Sequence, residues 1–266
     1  MVRIAVNGAL GRMGQRILFL AQEKPAEYTI VQAFETDTNP MIGKDVSGVK
    51  LESLLPYADK KKKLFCDVLI DFSGPDGALH CNASANYSEI KGLVIGSTGL
   101  DEQAMLAFER TASRIAVVVS SNMSVGVNLV AELLELAARK LPDDFSVRVA
   151  EAHHIHKKDA PSGTALMLAK AIAHAKQWDI AELLKSWKAG KFDEKGSVDK
   201  IGMKVTRDGE IVGDHSVVFQ GPAESVEIRH HAQSRDTFAR GALVAAQFAA
   251  KKSSGLYTMQ DVLKEN

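Results

Sequence analysis

Cysteine is nearly absent from this chain of 266 residues, which has only Cys66 and Cys81. Two thiols make no disulfide framework, so a core must hold the fold, and both are expected to be reduced and buried. Net charge is missing as well: 33 basic residues balance 33 acidic ones. No global field recruits nucleic acid or an anionic membrane, so any attraction for an anionic ligand must be local. Long apolar runs are lacking too. None approaches the ~20 residues of a membrane-crossing helix, and the opening MVRIAVNG lacks a signal-peptide layout. The expectation is a cytoplasmic chain that partners neither nucleic acid nor membrane. It is long enough for one large domain or two modest ones.

What is present is alternation. Residues 2–7, VRIAVN, read as a strand that runs into GALGRMG and then the helical QRILFLAQE. YTIVQAFE (28–35) is a second strand, followed by an irregular stretch (36–64) with a short helix around 51–58. The run Lys60 to Lys63 reads as solvated surface without function. DVLIDFS (67–73), KGLVIGSTG (91–99) and RIAVVVSSN (114–122) are apolar strands of the doubly buried kind, separated by helices at 75–89 and 101–113. Five strands alternating with helices predict a parallel sheet covered on both faces. The pattern then changes. A helix (124–140), a strand (144–152) and a helix (162–176) precede a polar stretch and three β-like runs at 199–206, 211–220 and 224–232. Asp208-Gly209 signals a hairpin between the first two runs. This half predicts a smaller α+β domain with a mixed or antiparallel sheet, and helices at 237–252 and 258–265 close the chain. No linker, internal repeat or low-complexity segment stands out.

The first turn carries chemistry. Gly8, Gly11 and Gly14 stand between a strand and a helix, where glycine permits close backbone approach and the helix start offers N–H groups to a pyrophosphate. The spacing is G-x-x-G-x-x-G rather than the commoner G-x-G-x-x-G, so its context matters. Glu35 ends the second strand 21 residues beyond Gly14, near the spacing of a ribose ligand. The competing reading is a helix-start turn with an incidental glutamate. As a dinucleotide site it comprises Gly8, Ala9, Leu10, Gly11, Arg12, Met13, Gly14 and Glu35, with Arg12 near the adenine or the phosphate. Gly96, Ser97 and Thr98, with Ser120, Ser121, Asn122 and Met123, end two further strands and would line the crevice for nicotinamide. A carboxylate at Glu35 suits two ribose hydroxyls and repels a 2′-phosphate, and Thr36 beside it brings no positive charge. NADH is favoured, with NADPH tolerated.

The densest reactive stretch is EAHHIHKKDAPSGTA (151–165). His153, His154, His156 and Lys157 offer proton carriers at neutral pH, and Pro161-Ser162-Gly163-Thr164 opens a helix whose N–H groups and hydroxyls can hold a carboxylate. The set suits an anionic substrate, such as a dicarboxylate, that gains a proton and a hydride. Two alternatives compete: a metal cluster, disfavoured by the adjacent lysines and the lack of a nearby cysteine, and a loop with surface histidines. Downstream lie His230, His231, Arg235 and Arg240; Arg235 reads either as a carboxylate ligand or as a surface arginine at a helix start.

The same segment resembles the signature of the 4-hydroxy-tetrahydrodipicolinate reductase (dihydrodipicolinate reductase) family of the bacterial diaminopimelate–lysine pathway. The resemblance extends over essentially the whole chain, through VNGALGRMG, DFSGPDG (71–77), VIGSTG (94–99), SSNMSVGVN (120–128), IVGDHSVVF (211–219), SRDTFARGA (234–242) and SGLYTMQDVL (254–263). It implies a Rossmann dinucleotide domain over 1–124 and 236–266. A substrate-binding and tetramerisation α+β domain would span 125–235, and the assembly would be a homotetramer. By position, His153 resembles the family's acid/base and Lys157 its proton donor; His154, Ser162, Gly163, Thr164 and Arg235 resemble substrate ligands. No metal is implied. The implied reaction is hydride delivery to a cyclic imine-type dicarboxylate, with loss of water and protonation by His153 or Lys157. Many relatives carry a basic residue where this chain has Thr36, and some an arginine where it has Gly74; both departures argue against a strong NADPH preference. Other readings are a Rossmann oxidoreductase of another amino or oxo acid, and a nucleotide-binding redox sensor, which would need no dense proton-carrying cluster.

Overall fold

The computed structural model describes residues 1–197 and 200–265; positions 199 and 266, assigned above to a strand and to the first domain, lie outside them. In chain order the elements are β1 (Val2–Asn7), α1 (Arg12–Gln22), β2 (Tyr28–Glu35), β3 (Asp45–Val46), β4 (Val49–Ser53), α2 (Leu55–Ala58), β5 (Val68–Asp71), α3 (Pro75–Asn86), β6 (Gly92–Ile95), α4 (Glu102–Ala112) and β7 (Ala116–Val119). There follow α5 (Val125–Lys140), β8 (Ser146–His153), α6 (Gly163–Lys176), α7 (Ala181–Lys188), β9 (Gly202–Arg207), β10 (Asp214–Gln220) and β11 (Ser225–His231). The chain closes with α8 (Asp236–Ala249), β12 (Gly255–Tyr257) and α9 (Met259–Leu263). Two compact units result: Met1–Val125 joined by the chain from Arg235 onward, and Gly126–Ser234.

In the first unit the sheet order is β12-β7-β6-β5-β1-β2-β4-β3, parallel except for the antiparallel β3–β4 pair. Period-two alternation assigns side chains to its two faces. Ile4, Val6, Val68 and Ile70 join one apolar cluster with α1 and α8, while Ala5, Leu69 and Leu93 join another with Phe108 of α4. Because both faces are covered, these strands read as continuous apolar runs. The chain leaves β1 for β2 on one side and returns to β5 on the other, so β1 and β5 flank the switch point where α/β sheets open a crevice at their carboxyl ends. Three strands escaped the sequence reading. β3 and β4 lie in the stretch read as irregular, and β4 takes the first part of the helix expected around 51–58, leaving only α2. β4 pairs with β3 and β2, burying Leu51 opposite Ala33, and three-residue β12 pairs with β7. All three are too short for alternation to show. Cys66 and Cys81 are buried free thiols, and burial pushes Cys66 up to about 12.

The second unit has a four-stranded mixed sheet of order β11-β10-β8-β9. Val147, Val149, Val217 and Phe219 pack with Leu134 of α5 and with Leu168 and Ile172 of α6. The hairpin expected at Asp208-Gly209 does not form. β10 pairs antiparallel with β8 from Asp214–Ala152 to Gln220–Ser146, which sends β9 to the far edge of β8 in parallel. The turn exists, with Gly209 at φ +46°, but it is tied to the end of β8: Asp208 N–H donates to the His153 carbonyl at 2.9 Å, and His154 N–H to that of Ile211 at 2.8 Å. The stretch read as polar contains α7, whose Trp187 is fully buried.

Candidate active site

In the first unit the glycine loop sits at the switch point. Gly8 has φ +75°, and a Cβ on Gly14 would lie 2.1 Å from the Gly8 carbonyl oxygen, so α1 starts against the loop only because both are glycine. Ala9 N–H donates to the Phe34 carbonyl at 3.0 Å, and Leu10 N–H to Glu35 Oε2 at 3.2 Å. The ribose candidate is thereby tied to the loop, while Gly11, exposed Arg12, Met13 and Gly14 form the start of α1, whose first N–H groups lack intrahelical partners. Next to it lies a cleft of about 350 Å³ lined by Glu35, Thr36, Asp37, Ser53, Asp76 and His80, among others. Gly96 closes on the Phe72 ring, leaving no room for a Cβ. Ser97 Oγ donates to Asp71 and accepts from Gly74 N–H at 2.8 Å, while Thr98 is exposed. Ser120 Oγ donates to the Asn122 carbonyl at 2.8 Å; Ser121 is exposed; Met123 has its side chain in the apolar cluster. Sequence reasoning missed Asp71, fully buried and bonded by Asn7 Nδ2 at 2.8 Å and by the hydroxyls of Ser73 and Ser97. Burial raises its carboxyl above the usual range despite these neutral donors.

In the second unit β8 delivers Glu151 and His153 to the face it shares with Val147 and Val149. Glu151 is the hub that sequence reasoning passed over. Its side chain is fully buried, and Oε2 accepts from His153 Nδ1 and from Arg207 Nη1 at 3.0 Å. Oε1 accepts from Ser162 N–H at 3.0 Å and from Arg207 Nη2 at 3.0 Å. Burial alone would raise this carboxyl; the His153 and Arg207 hydrogen bonds outweigh it and hold it below the usual carboxylate range. An ionised carboxylate only accepts, so the proton of the His153–Glu151 bond resides on Nδ1, leaving Nε2 as the reactive nitrogen. The space beside Nε2 is kept by Gly213, where a Cβ would lie 3.1 Å from that atom.

Ser162 caps α6, its Oγ accepting from Ala165 N–H at 3.1 Å and meeting His215 Nε2 at 3.1 Å. Gly163 and Thr164 follow at the helix start, and a Cβ on Gly163 would meet nothing within 4 Å, so this end of α6 is open to a ligand. His215, also missed, stacks edge-on against His153 at 5.1 Å between ring centroids. Burial pushes it down to about 3, with neighbouring His153 adding to the effect, so it is neutral at working pH. Lys157 Nζ donates to Asp159 at 2.8 Å. His154 is half-buried with its ring 6.0 Å from that of His156; the exposed His156 stands 3.6 Å from Glu210. Arg235 belongs to the other unit, at the N-cap of α8. Glu151, His153 and His215 offer ligand atoms within 4.8 Å of one another, as a metal site would. A cation there would face the Arg207 guanidinium already bound to both Glu151 oxygens, so the donor set does not suit one. A signal for Glu151 did exist: period two along β8 puts 147, 149, 151 and 153 on one face. Arg207 and His215 carried none, since their roles depend on which strands pair.

Residues 2–123 match the family model for "Dihydrodipicolinate reductase, N-terminus" and residues 126–263 that for "Dihydrodipicolinate reductase, C-terminus". The 4-hydroxy-tetrahydrodipicolinate reductase of Geobacter sulfurreducens is 43% identical over 268 residues, covering 99% of this chain and 99% of its own. That of Geobacter metallireducens is 42% identical over 267 residues, again 99% of each. Among solved structures the chain is similar to a dipicolinate-bound dihydrodipicolinate reductase from Paenisporosarcina sp. TG-14. The TM-score is 0.75 at 21% identity, over 98% of this chain and 99% of that one, a likeness of fold.

Proposed function

The chain belongs to the dihydrodipicolinate reductase family, and with that as premise we infer that it reduces 4-hydroxy-tetrahydrodipicolinate with NAD(P)H on the diaminopimelate route to lysine. The geometric observation behind this reading is a buried imidazole, His153, oriented through Nδ1 by the same carboxylate that receives the N-cap amide of α6. A proton carrier and an anion-binding helix start are thus fixed to one atom group. That is the pairing a dicarboxylate needs if it is to be held and protonated in one place.

In this reading the first unit holds the dinucleotide and the second the substrate. The glycine loop, the free N–H groups of α1 and the Glu35 carboxylate fit a pyrophosphate and a ribose diol. Ser97, Thr98 and the 120–123 turn face the nicotinamide side. The bound nucleotide supplies the hydride. Gly163 and Thr164, with Ser162, anchor one substrate carboxylate through backbone N–H groups and hydroxyls; His154 and Arg235 serve the rest of the dicarboxylate. His153 Nε2 and Lys157 Nζ are the two proton carriers for the carbon that must be protonated after hydride addition. Asp159 holds the Lys157 side chain in place until substrate competes for it. Overall the substrate takes up a hydride and a proton and loses water.

NADH is the preferred donor. The cleft beside Glu35 also carries Asp37 and Asp76, and among the described residues no lysine or arginine lines it. Three carboxylates there would repel a 2′-phosphate. A homotetramer and a cytoplasmic place of work complete the proposal, on the pattern of the family. The test is nucleotide oxidation followed at 340 nm with freshly generated hydroxy-tetrahydrodipicolinate, alongside dissociation constants for both nucleotides. Turnover with tighter NADH binding is expected. No oxidation above the blank by folded protein would sink the activity, and a clear NADPH advantage would sink the cofactor preference.

A further inference from the structure

Arg207 and Glu151 saturate one another and their surroundings. A guanidinium has five N–H donors and an ionised carboxylate about four acceptor sites. Arg207 uses its donors on Glu151 Oε2 (3.0 Å), Glu151 Oε1 (3.0 Å) and the carbonyls of Lys157 (3.3 Å), Thr206 (2.7 Å) and Asp159. Glu151 fills its sites with two of these bonds, His153 Nδ1 and Ser162 N–H. Four pieces of chain thus converge on one buried ion pair: β8 with His153, the end of β9, the loop carrying Lys157, and the α6 start at Ser162. A guanidinium bound to both carboxylate oxygens fixes the carboxylate plane as well as its charge.

We propose that Glu151 and Arg207 are the positioning residues of the reaction. Glu151 holds His153 as the Nδ1–H tautomer with Nε2 turned to the reacting carbon, and Arg207 sets the Lys157 loop and the Ser162 turn in register with it. The proposal rests on the functional reading above for what His153 does, but its core statement concerns the ligand-free chain. Neither residue touches substrate in this account. Ser162 receives its direction from Glu151 through the backbone, and Lys157 from Arg207 through a carbonyl.

Replacing Glu151 by glutamine keeps the shape and tests the assignment. The new amide NH2 would oppose two donors if placed at Oε1, namely Ser162 N–H and Arg207 Nη2, but one if placed at Oε2. It therefore settles at Oε2, donates to His153 Nδ1, and moves the imidazole proton to Nε2. Nitrogen NMR of the full, ligand-free chain labelled at histidine reads the tautomer directly. Wild type is expected to show His153 as Nδ1–H and E151Q as Nε2–H. In the NADH assay kcat of E151Q should fall on the order of 10²–10⁴-fold, as when a carboxylate–histidine pair loses its tautomer, with KM changing far less because Ser162 keeps its acceptor.

A wild-type chain with His153 as Nε2–H overturns the proposal without any variant, and so does an E151Q that keeps the tautomer or the turnover. If E151Q fails to fold, R207K decides the second half. Lysine cannot span both oxygens and the loop carbonyls, so KM should rise and kcat fall; unchanged constants overturn it. Wild-type protein without activity would instead refute the functional reading, leaving the tautomer measurement to stand by itself.

Discussion

Asp71 in the first unit and Glu151 in the second are buried carboxyl groups near the ends of β5 and β8, each bonded by several donors, and burial raises the proton affinity of both. Asp71 has neutral donors, Asn7, Ser73 and Ser97, with the Cys81 thiol at 3.6 Å, and ends above the usual carboxylate range. Glu151 has His153 and the Arg207 guanidinium, and ends below it. Dipoles orient a buried acid without compensating its charge; a guanidinium does both. The difference runs through each site. The first unit arranges backbone amides, glycines and hydroxyls, which suit holding a large ligand in a fixed pose. The second arranges charge, which suits moving a proton.

The largest expected effect tests where the chemistry resides. His153→Ala and Lys157→Ala should each lower kcat on the order of 10²–10⁴-fold while calorimetry finds NADH affinity unchanged; a variant with full turnover would remove its residue from the proton path. Next come the two acids themselves. Arg207→Leu strands a buried carboxylate and should cost roughly 3–5 kcal/mol, whereas Asp71→Asn, placed among donors that can reorient, should cost about 1 kcal/mol or less. Urea unfolding decides, and equal costs would erase the contrast drawn between the units.

The smallest effect per step extends the comparison to a base. His215 is neutral in the folded chain down to about pH 3, facing His153, Glu151, His230 and Lys157, while in the unfolded chain it takes up a proton near pH 6.5. Below that pH the unfolded state binds more protons, so stability falls as pH falls, by up to about 1.4 kcal/mol per pH unit from this group. Urea midpoints between pH 7 and 5 should show the slope in wild type and a shallower one in His215→Gln; parallel slopes would mean that burial is not what keeps this ring neutral.

Much of the fold was legible because parallel strands covered on both faces must be apolar throughout. β5, β6 and β7 announced themselves, and Pro75 and Ser162 marked helix starts. β4 and β12 were not legible, since five and three residues show too little period to separate strand from loop. The hairpin at Asp208-Gly209 misled because turn chemistry is local while partner choice is not: β10 found more to pair with in β8. At the site, His153, Ser162 and the glycine loop could be read from residue type in a short window. Glu151 needed the alternation of β8 taken one step further. Arg207 needed the knowledge that β9 runs parallel beside β8, with Arg207 opposite His153.

The first unit is made from two stretches of chain, and that has a consequence for synthesis on the ribosome. Ala239, Ala242, Leu243 and Ala246 of α8 complete the cluster over Ile4, Val6 and Ile70, and Gly241 lies so close to the Met123 carbonyl that a Cβ would be 1.7 Å away. Val125 and the end of α8 at Ala249 are 124 positions apart. At ~5–20 residues per second the nascent first unit therefore waits roughly 6–25 s with one apolar face uncovered. The second unit, continuous in sequence, can close before it. The half translated first is the half finished last, and for those seconds its uncovered apolar face is the part of the chain most exposed to aggregation.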